Sequence, residues 1–166
     1  MALLLQSGVT VRVAMRHPGR VKTEAESAKA PVIVQADILN DNSVGEAITG
    51  ANAVVNLVGI LTETAAQTYR AIHVEAARRI ALAARRYGVT RLIQLSALGA
   101  SPTSPAISDR TKAEGERAVR EVFPASLTYG GDDHFFSRFT AMIRSSPVLP
   151  LIGCGATSSS PSSSTT

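Results

Sequence analysis

Four short runs along the chain are almost continuously apolar or rich in valine, and the stretches between them carry a different rhythm. They are residues 9–15 (Val-Thr-Val-Arg-Val-Ala-Met), 31–35 (Pro-Val-Ile-Val-Gln), 53–58 (Ala-Val-Val-Asn-Leu-Val) and 91–96 (Arg-Leu-Ile-Gln-Leu-Ser). Three of the four show no polar alternation, which is the pattern of strands buried on both faces of a parallel sheet. Residues 64–87 place Ile72, Ala76, Ile80, Ala83 and Tyr87 at spacings of three and four with arginines on the other side, predicting an amphipathic helix. A further helix is predicted over about 109–122. Glu75 with Arg79, and Glu116 with Arg120, stand four residues apart and are expected to pair along these helices. Gly88 sits where a helix C-cap glycine belongs. Strands alternating with helices predict βαβ units, hence an α/β fold with a doubly wound parallel sheet of the Rossmann type.

The two ends fit that sheet less well. Residues 3–8 (Leu-Leu-Leu-Gln-Ser-Gly) read as the last turns of a helix leading straight into the first visible strand. A Rossmann sheet opens instead with a strand, a glycine-rich turn and then that helix. The first strand and its turn are therefore expected to be missing, leaving the sheet incomplete at its centre. Unpaired backbone groups there would cost on the order of 1–3 kcal/mol each. Between Pro124 and Gly130 only a stub, Ala125-Ser126-Leu127-Thr128-Tyr129, stands where another strand is expected. Residues 157–166 are all Ser, Thr or Pro, a composition that cannot bury a core. The expected organisation is a partial Rossmann domain over 1–156 and a disordered tail over 157–166.

Composition narrows the picture. With 45% apolar and 18% charged residues the chain is globular, and 166 residues suit one domain. The net charge of +4 is carried by dispersed arginine pairs such as Arg78-Arg79 and Arg85-Arg86, which reads as solvated helix faces and not as a nucleic-acid surface. The single cysteine, Cys154, excludes a disulfide framework and points to a reducing compartment. Neither a basic leader nor a run approaching the ~20 apolar residues of a membrane span is seen, so a soluble, cytoplasmic protein is expected. His73 has no Cys or His at ligand spacing and is read as packing or as a hydrogen bond behind a site, with no metal.

The strand ends carry the candidate chemistry. In this fold the strand ending at Met15-Arg16-His17-Pro18 meets the adenosine ribose, where an acid would bond a 2′-hydroxyl and an arginine a 2′-phosphate. Arg16 and His17, with no acid, favour NADP(H) over NAD(H). Asp37-Ile38 after the next strand can meet the adenine edge and face. Asp37 reads equally well as a helix N-cap, with Asn42 and Ser43 competing for that role. Leu57 and Gly59 end the third strand, and the glycine permits close backbone approach to a ligand. Ser96 ends the fourth, facing a helix that carries Lys112. A Tyr-x-x-x-Lys pair there would supply acid/base chemistry, but the residue four before Lys112 is Ser108. An alkyl hydroxyl is too weak an acid for that role near neutral pH, so no catalytic residue is assigned.

Several segments together resemble a known family. Val9-Thr10-Val11-Arg12-Val13, Gly50-Ala51-Asn52-Ala53-Val54-Val55-Asn56-Leu57-Val58-Gly59 and Arg91-Leu92-Ile93-Gln94-Leu95-Ser96-Ala97-Leu98-Gly99-Ala100 are similar to its motifs. So are Lys112-Ala113-Glu114-Gly115-Glu116, Asp132-Asp133-His134-Phe135-Phe136 and Pro147-Val148-Leu149-Pro150-Leu151-Ile152-Gly153. The family is the atypical, extended short-chain dehydrogenase/reductases, specifically the epimerase/dehydratase-like proteins akin to the NADPH-binding accessory subunit of respiratory complex I. The resemblance implies a Rossmann domain holding NADPH in a structural or regulatory role. Arg16 would meet the 2′-phosphate and Asp37 and Ile38 the adenine. Leu57 and Gly59 would lie along the nucleotide, and Ser96 and Lys112 near the nicotinamide ribose. It also implies association with a respiratory or quinone-related membrane assembly, peripheral at the inner membrane. The Ser-Thr tail can be encoded so that a one-base shift spells Val-Phe-Gln-Pro-Val-Phe-Val-Asp-Asp, which resembles the family's continuation. A frameshift near Ala156 and a late start at Met1 are the corresponding expectation. The alternatives are an NADP-dependent reductase or epimerase on a carbonyl or nucleotide-sugar substrate, a redox-sensing regulator, and a non-functional gene fragment.

Overall fold

The computed structural model describes residues 8–20 and 30–129 and the backbone of 148–152. The four apolar runs form β1 (Thr10–Met15), β2 (Val32–Gln35), β3 (Ala53–Asn56) and β4 (Arg91–Leu95), where β-branched side chains suit a pleated, buried surface. β1 pairs with β2, and β3 with β4, all in parallel. The polar interruption in β1 has its own use. Arg12 donates to the carbonyls of Ala47 (2.9 Å) and Thr49 (2.8 Å), satisfying acceptors at the end of the neighbouring helix.

That helix is α1 (Asp41–Ile48), capped by Asn40, whose side-chain oxygen accepts from Ser43 N–H at 3.0 Å. None of the three expected caps does this. Asp37 instead closes a local turn by accepting from Leu39 N–H (2.9 Å), while the Ser43 hydroxyl accepts from Asp37 N–H. After β3 the chain makes π-helical turns over Arg70–Ala76 that run into α2 (Ala77–Arg86). The helix begins later than the periodicity predicts because Thr64 and Gln67 exchange backbone hydrogen bonds (2.9 and 3.1 Å) in a closed turn. It ends as expected. Gly88 at φ +70° lets its own N–H reach Arg85 and that of Val89 reach Ala84, a Schellman motif. α3 spans Ile107–Val122.

The sheet order is β2-β1-β6-β3-β4-β5, with β5 (Leu127–Tyr129) parallel to β4 and β6 (Val148–Ile152) parallel to both β1 and β3. This modifies the expected incomplete sheet in two places. The segment 127–129 does pair, as a three-residue edge strand. The central gap is filled from far along the chain by Val148–Ile152, because the facing edges of β1 and β3 offer rows of N–H and C=O groups that only another strand can satisfy. Pro150 within β6 brings no N–H, so the slot is filled with one donor fewer than another residue would give. The helix-like run 3–7, Asp132–Phe136, Gly153 and the tail 157–166 lie outside the described residues.

The core joins Ala14, Val54 and Leu92 of the sheet to Val44 and Ile48 of α1, Ile80 and Ala84 of α2, and Val119 and Val122 of α3. Val55 and Ile93, side by side in the ladder and pointing to the other face, are fully buried too. Burial on both faces is what the uninterrupted apolar runs imply. Three of the groups expected to pair four residues apart along the helices take other partners. Arg79 pairs with Asp41 and Glu75 with Arg70 (3.6 Å), while Glu116 turns inward to Ser96. The contacts to Asp41 and Ser96 tie separate elements together, which an exposed i,i+4 pair does not, whereas Glu75–Arg70 stays within the π-helical turns.

Candidate functional site

Parallel strands bring all their carboxyl ends to one edge, and a cleft opens there between the exits of β1, β2 and β3. Its lining includes Arg16, Asp37, Ile38, Leu57 and Gly59, so five of the eight residues singled out from the sequence share one cavity. Their placement has local causes. The Asp37 turn and an Arg79 hydrogen bond to the Ile38 carbonyl (3.0 Å) hold the β2 exit. Asn56, buried at the end of β3, donates to Gln94 (2.8 Å) and accepts from Val58 N–H (3.0 Å), which shapes the turn into Gly59. His17 is exposed beside Arg16 and is not part of the lining.

Ser96 and Lys112 approach from the other side. Ser96, just past β4, donates to the Glu116 carboxylate of α3. Lys112 is one turn earlier on that helix, and a methyl group built on Gly59 would stand 3.4 Å from its Nζ, so the ammonium reaches the edge of the cleft. Burial lowers the Lys112 pKa, while the nearby Asp109 and Glu116 carboxylates work in the opposite direction. Ser108, one turn before Lys112, brings only an alkyl hydroxyl. At this position the site therefore presents a cation and hydrogen-bonding groups, with an alkyl hydroxyl in place of a phenol.

Between these two walls lies a buried hydrogen-bond chain that the sequence did not disclose. His73 Nε2 accepts from Ile60 N–H (3.3 Å), so the ring proton belongs on Nδ1 and is donated to Thr111 Oγ1 (3.0 Å). The Thr111 hydroxyl passes its own proton toward the Ser108 (2.9 Å) or Ile107 (3.0 Å) carbonyl. Desolvation, then the charge of Lys112, lowers the His73 pKa to about 4, keeping the imidazole neutral. A histidine inside a π-helical turn thus ties the loop after Gly59 to the helix that carries Lys112. Such turns are concentrated at functional sites. Only the reading of His73 as a hydrogen-bonding residue was available from sequence; Thr111, Ile60 and Gln67 gave no signal, and Glu116 suggested only a helix pair, because their partners here are distant in the chain.

A family model described as NAD(P)H-binding matches residues 1–126. The chain is 35% identical over 130 residues to subunit 9 of the alpha subcomplex of mitochondrial NADH dehydrogenase (ubiquinone) 1 from Rattus norvegicus, covering 75% of this chain and 34% of that protein. It is 33% identical over 124 residues to the 40 kDa subunit of mitochondrial NADH-ubiquinone oxidoreductase from Neurospora crassa, covering 73% of this chain and 33% of that protein. It thus spans about a third of the length of these relatives. Among solved structures, a nucleoside-diphosphate-sugar epimerase from Staphylococcus aureus superposes with a TM-score of 0.61 at 14% identity, covering 76% of this chain and 43% of that one. A uronate dehydrogenase from Agrobacterium tumefaciens, complexed with NAD, gives 0.57 at 17% identity, covering 89% and 78%. At such identities these likenesses show the Rossmann-type fold alone.

Proposed function

The chain belongs to the NAD(P)H-binding family, and from that premise we propose that it holds NADP(H), in preference to NAD(H), as a structural or regulatory nucleotide. The observation that carries this reading is the convergence of Arg16, Asp37, Ile38, Leu57 and Gly59 on one cleft at the carboxyl edge of the sheet. The donor set suits the group. A guanidinium at the β1 exit would take a 2′-phosphate, a carboxylate with an aliphatic neighbour would take the adenine edge and face, and Gly59 leaves room for the dinucleotide to pass. Lys112 and Ser96 would hold the nicotinamide ribose end.

When bound, the nicotinamide supplies or accepts a hydride. Ser108 stands where the usual phenol would be needed, and an alkyl hydroxyl is too weak an acid for that proton transfer, which favours binding and orienting the nucleotide over turnover. The similarity to respiratory-complex subunits supports a place as the nucleotide-holding part of a larger, peripheral respiratory assembly. No helix among the described residues is long and apolar enough to cross a membrane.

The test is a titration of reduced NADPH fluorescence against the protein, followed by prolonged incubation with carbonyl and nucleotide-sugar candidates while nicotinamide absorbance is recorded. Saturable binding with constant absorbance is expected. Steady oxidation abolished by Lys112→Ala would replace this reading with that of a reductase.

A further inference from the structure

The loop between β3 and the π-helical turns is a built object. Thr64 and Gln67 close it through two backbone hydrogen bonds, Tyr69 N–H donates to the Glu63 carboxylate (2.6 Å), and the Tyr69 hydroxyl donates to the Leu61 carbonyl (2.6 Å). The Tyr69 ring also packs on His73, with centroids 5.4 Å apart, which anchors the loop to the buried hydrogen-bond chain. Gln67 projects from this loop into the cleft and meets the residue on the opposite wall, Arg16. Donor–acceptor matching assigns the Gln67 carboxamide with its oxygen toward Arg16, and in that orientation the oxygen accepts from both terminal nitrogens of the guanidinium, Nη2 at 2.9 Å.

We infer that Gln67 is a further determinant of cofactor specificity, acting by holding the Arg16 guanidinium in the mouth of the cleft for a 2′-phosphate. Arg16 is an exposed side chain at a strand end and would otherwise sample many rotamers. A single carboxamide oxygen takes one N–H from each terminal nitrogen. That leaves Nε–H and the outer edge of the fork for a phosphate, so the contact positions the guanidinium without consuming it. Fixing the arginine before the ligand arrives removes part of the ordering penalty of binding, and only a ligand with a 2′-phosphate gains from that. The inference rests on the proposal that this cleft holds a dinucleotide.

The experiment measures dissociation constants of NADPH and NADH, by fluorescence titration, for the 166-residue chain and for its Gln67→Met, Gln67→Glu and Arg16→Ala variants. Thermal unfolding checks that each variant folds. Methionine keeps the length of the side chain and removes the acceptor, so NADPH affinity is expected to fall roughly threefold to tenfold with NADH unchanged. Glutamate pairs with Arg16 and repels the phosphate, so NADPH affinity should fall by about tenfold or more, approaching the Arg16→Ala value. Equal weakening of both nucleotides would overturn the assignment in favour of a loop that only shapes the cleft. Tighter NADPH binding by Gln67→Met would overturn it by showing that Gln67 competes with the phosphate. If the parent chain binds neither nucleotide, the dinucleotide reading itself falls, and the role of Gln67 with it. If the parent binds both and Arg16→Ala leaves their ratio unchanged, the Gln67 assignment fails while the cleft stands.

Discussion

The backbone carbonyl of His73 occupies the space that a side chain on Gly115 would need. Only a glycine lets α3 approach the π-helical turns closely enough for Thr111 to reach the imidazole. The obstacle is backbone on a packed helix, which cannot rotate away. Gly115→Ala is therefore expected to destabilise the fold by about 3 kcal/mol despite the better helix propensity of alanine. Urea denaturation checks this, and an unchanged midpoint would refute the packing.

His73 should leave a pH signature. Its folded pKa of about 4 lies below the ordinary 6.5, so burial of the neutral ring contributes fully above about pH 6.5. As the pH falls, the unfolded chain takes up a proton that the folded one refuses, and the contribution is lost as pH passes through about 4. The whole effect is on the order of 3 kcal/mol. His73→Gln retains hydrogen-bonding capacity but not the titration. Its stability, followed by denaturation between pH 7 and pH 4, should depend less steeply on pH than that of the parent.

Glu116 bears on the lysine as well as on Ser96. It opposes the lowering of the Lys112 pKa by burial, so Glu116→Gln should lower that pKa further. More of the amine is then neutral at mildly alkaline pH, and Lys112 should be acylated faster than in the parent chain, as peptide mass spectrometry would show. Slower or unchanged labelling would mean that the carboxylate does not act on the ammonium.

Asn40 is expected to account for the start of α1. Asn40→Ala removes the oxygen that satisfies Ser43 N–H, with an expected loss of about 1 kcal/mol in chemical denaturation. Asn42→Ala, which caps nothing here, should change stability much less.

What the sequence disclosed and what it hid divides along the range of the interaction. β1 to β4 were legible because strands buried on both faces need apolar residues throughout, and Gly88 was legible because a left-handed cap needs glycine. The Asn40 cap was missed because Asp37, Asn42 and Ser43 offer the same chemistry within six residues, and only the three-dimensional path of the turn selects among them. The late start of the helix after β3 was hidden because the Thr64–Gln67 turn carries no glycine or proline. β6 escaped because its place in the sheet is set by the gap between β1 and β3, a property of other strands. Five of the eight residues singled out from the sequence line one cavity, because strand ends converge by topology. The contacts that tune it, Gln67 with Arg16 and His73 with Thr111, join residues whose chain separation leaves no local pattern.

The most direct measurement is calorimetric titration of NADPH into the parent chain and into Gly59→Leu. Gly59 has no left-handed backbone requirement, and the first carbon added there meets Lys112 Nζ at 3.4 Å and His73 Nε2 at 3.8 Å, ordinary contacts that the fold can accept. The rest of a leucine side chain would then crowd the edge where Lys112 meets the cleft, on the path proposed for the nucleotide. Saturable heat from the parent and none from a Gly59→Leu variant of unchanged thermal stability is the expected result. Equal affinity in both would place any bound nucleotide elsewhere and contradict the site.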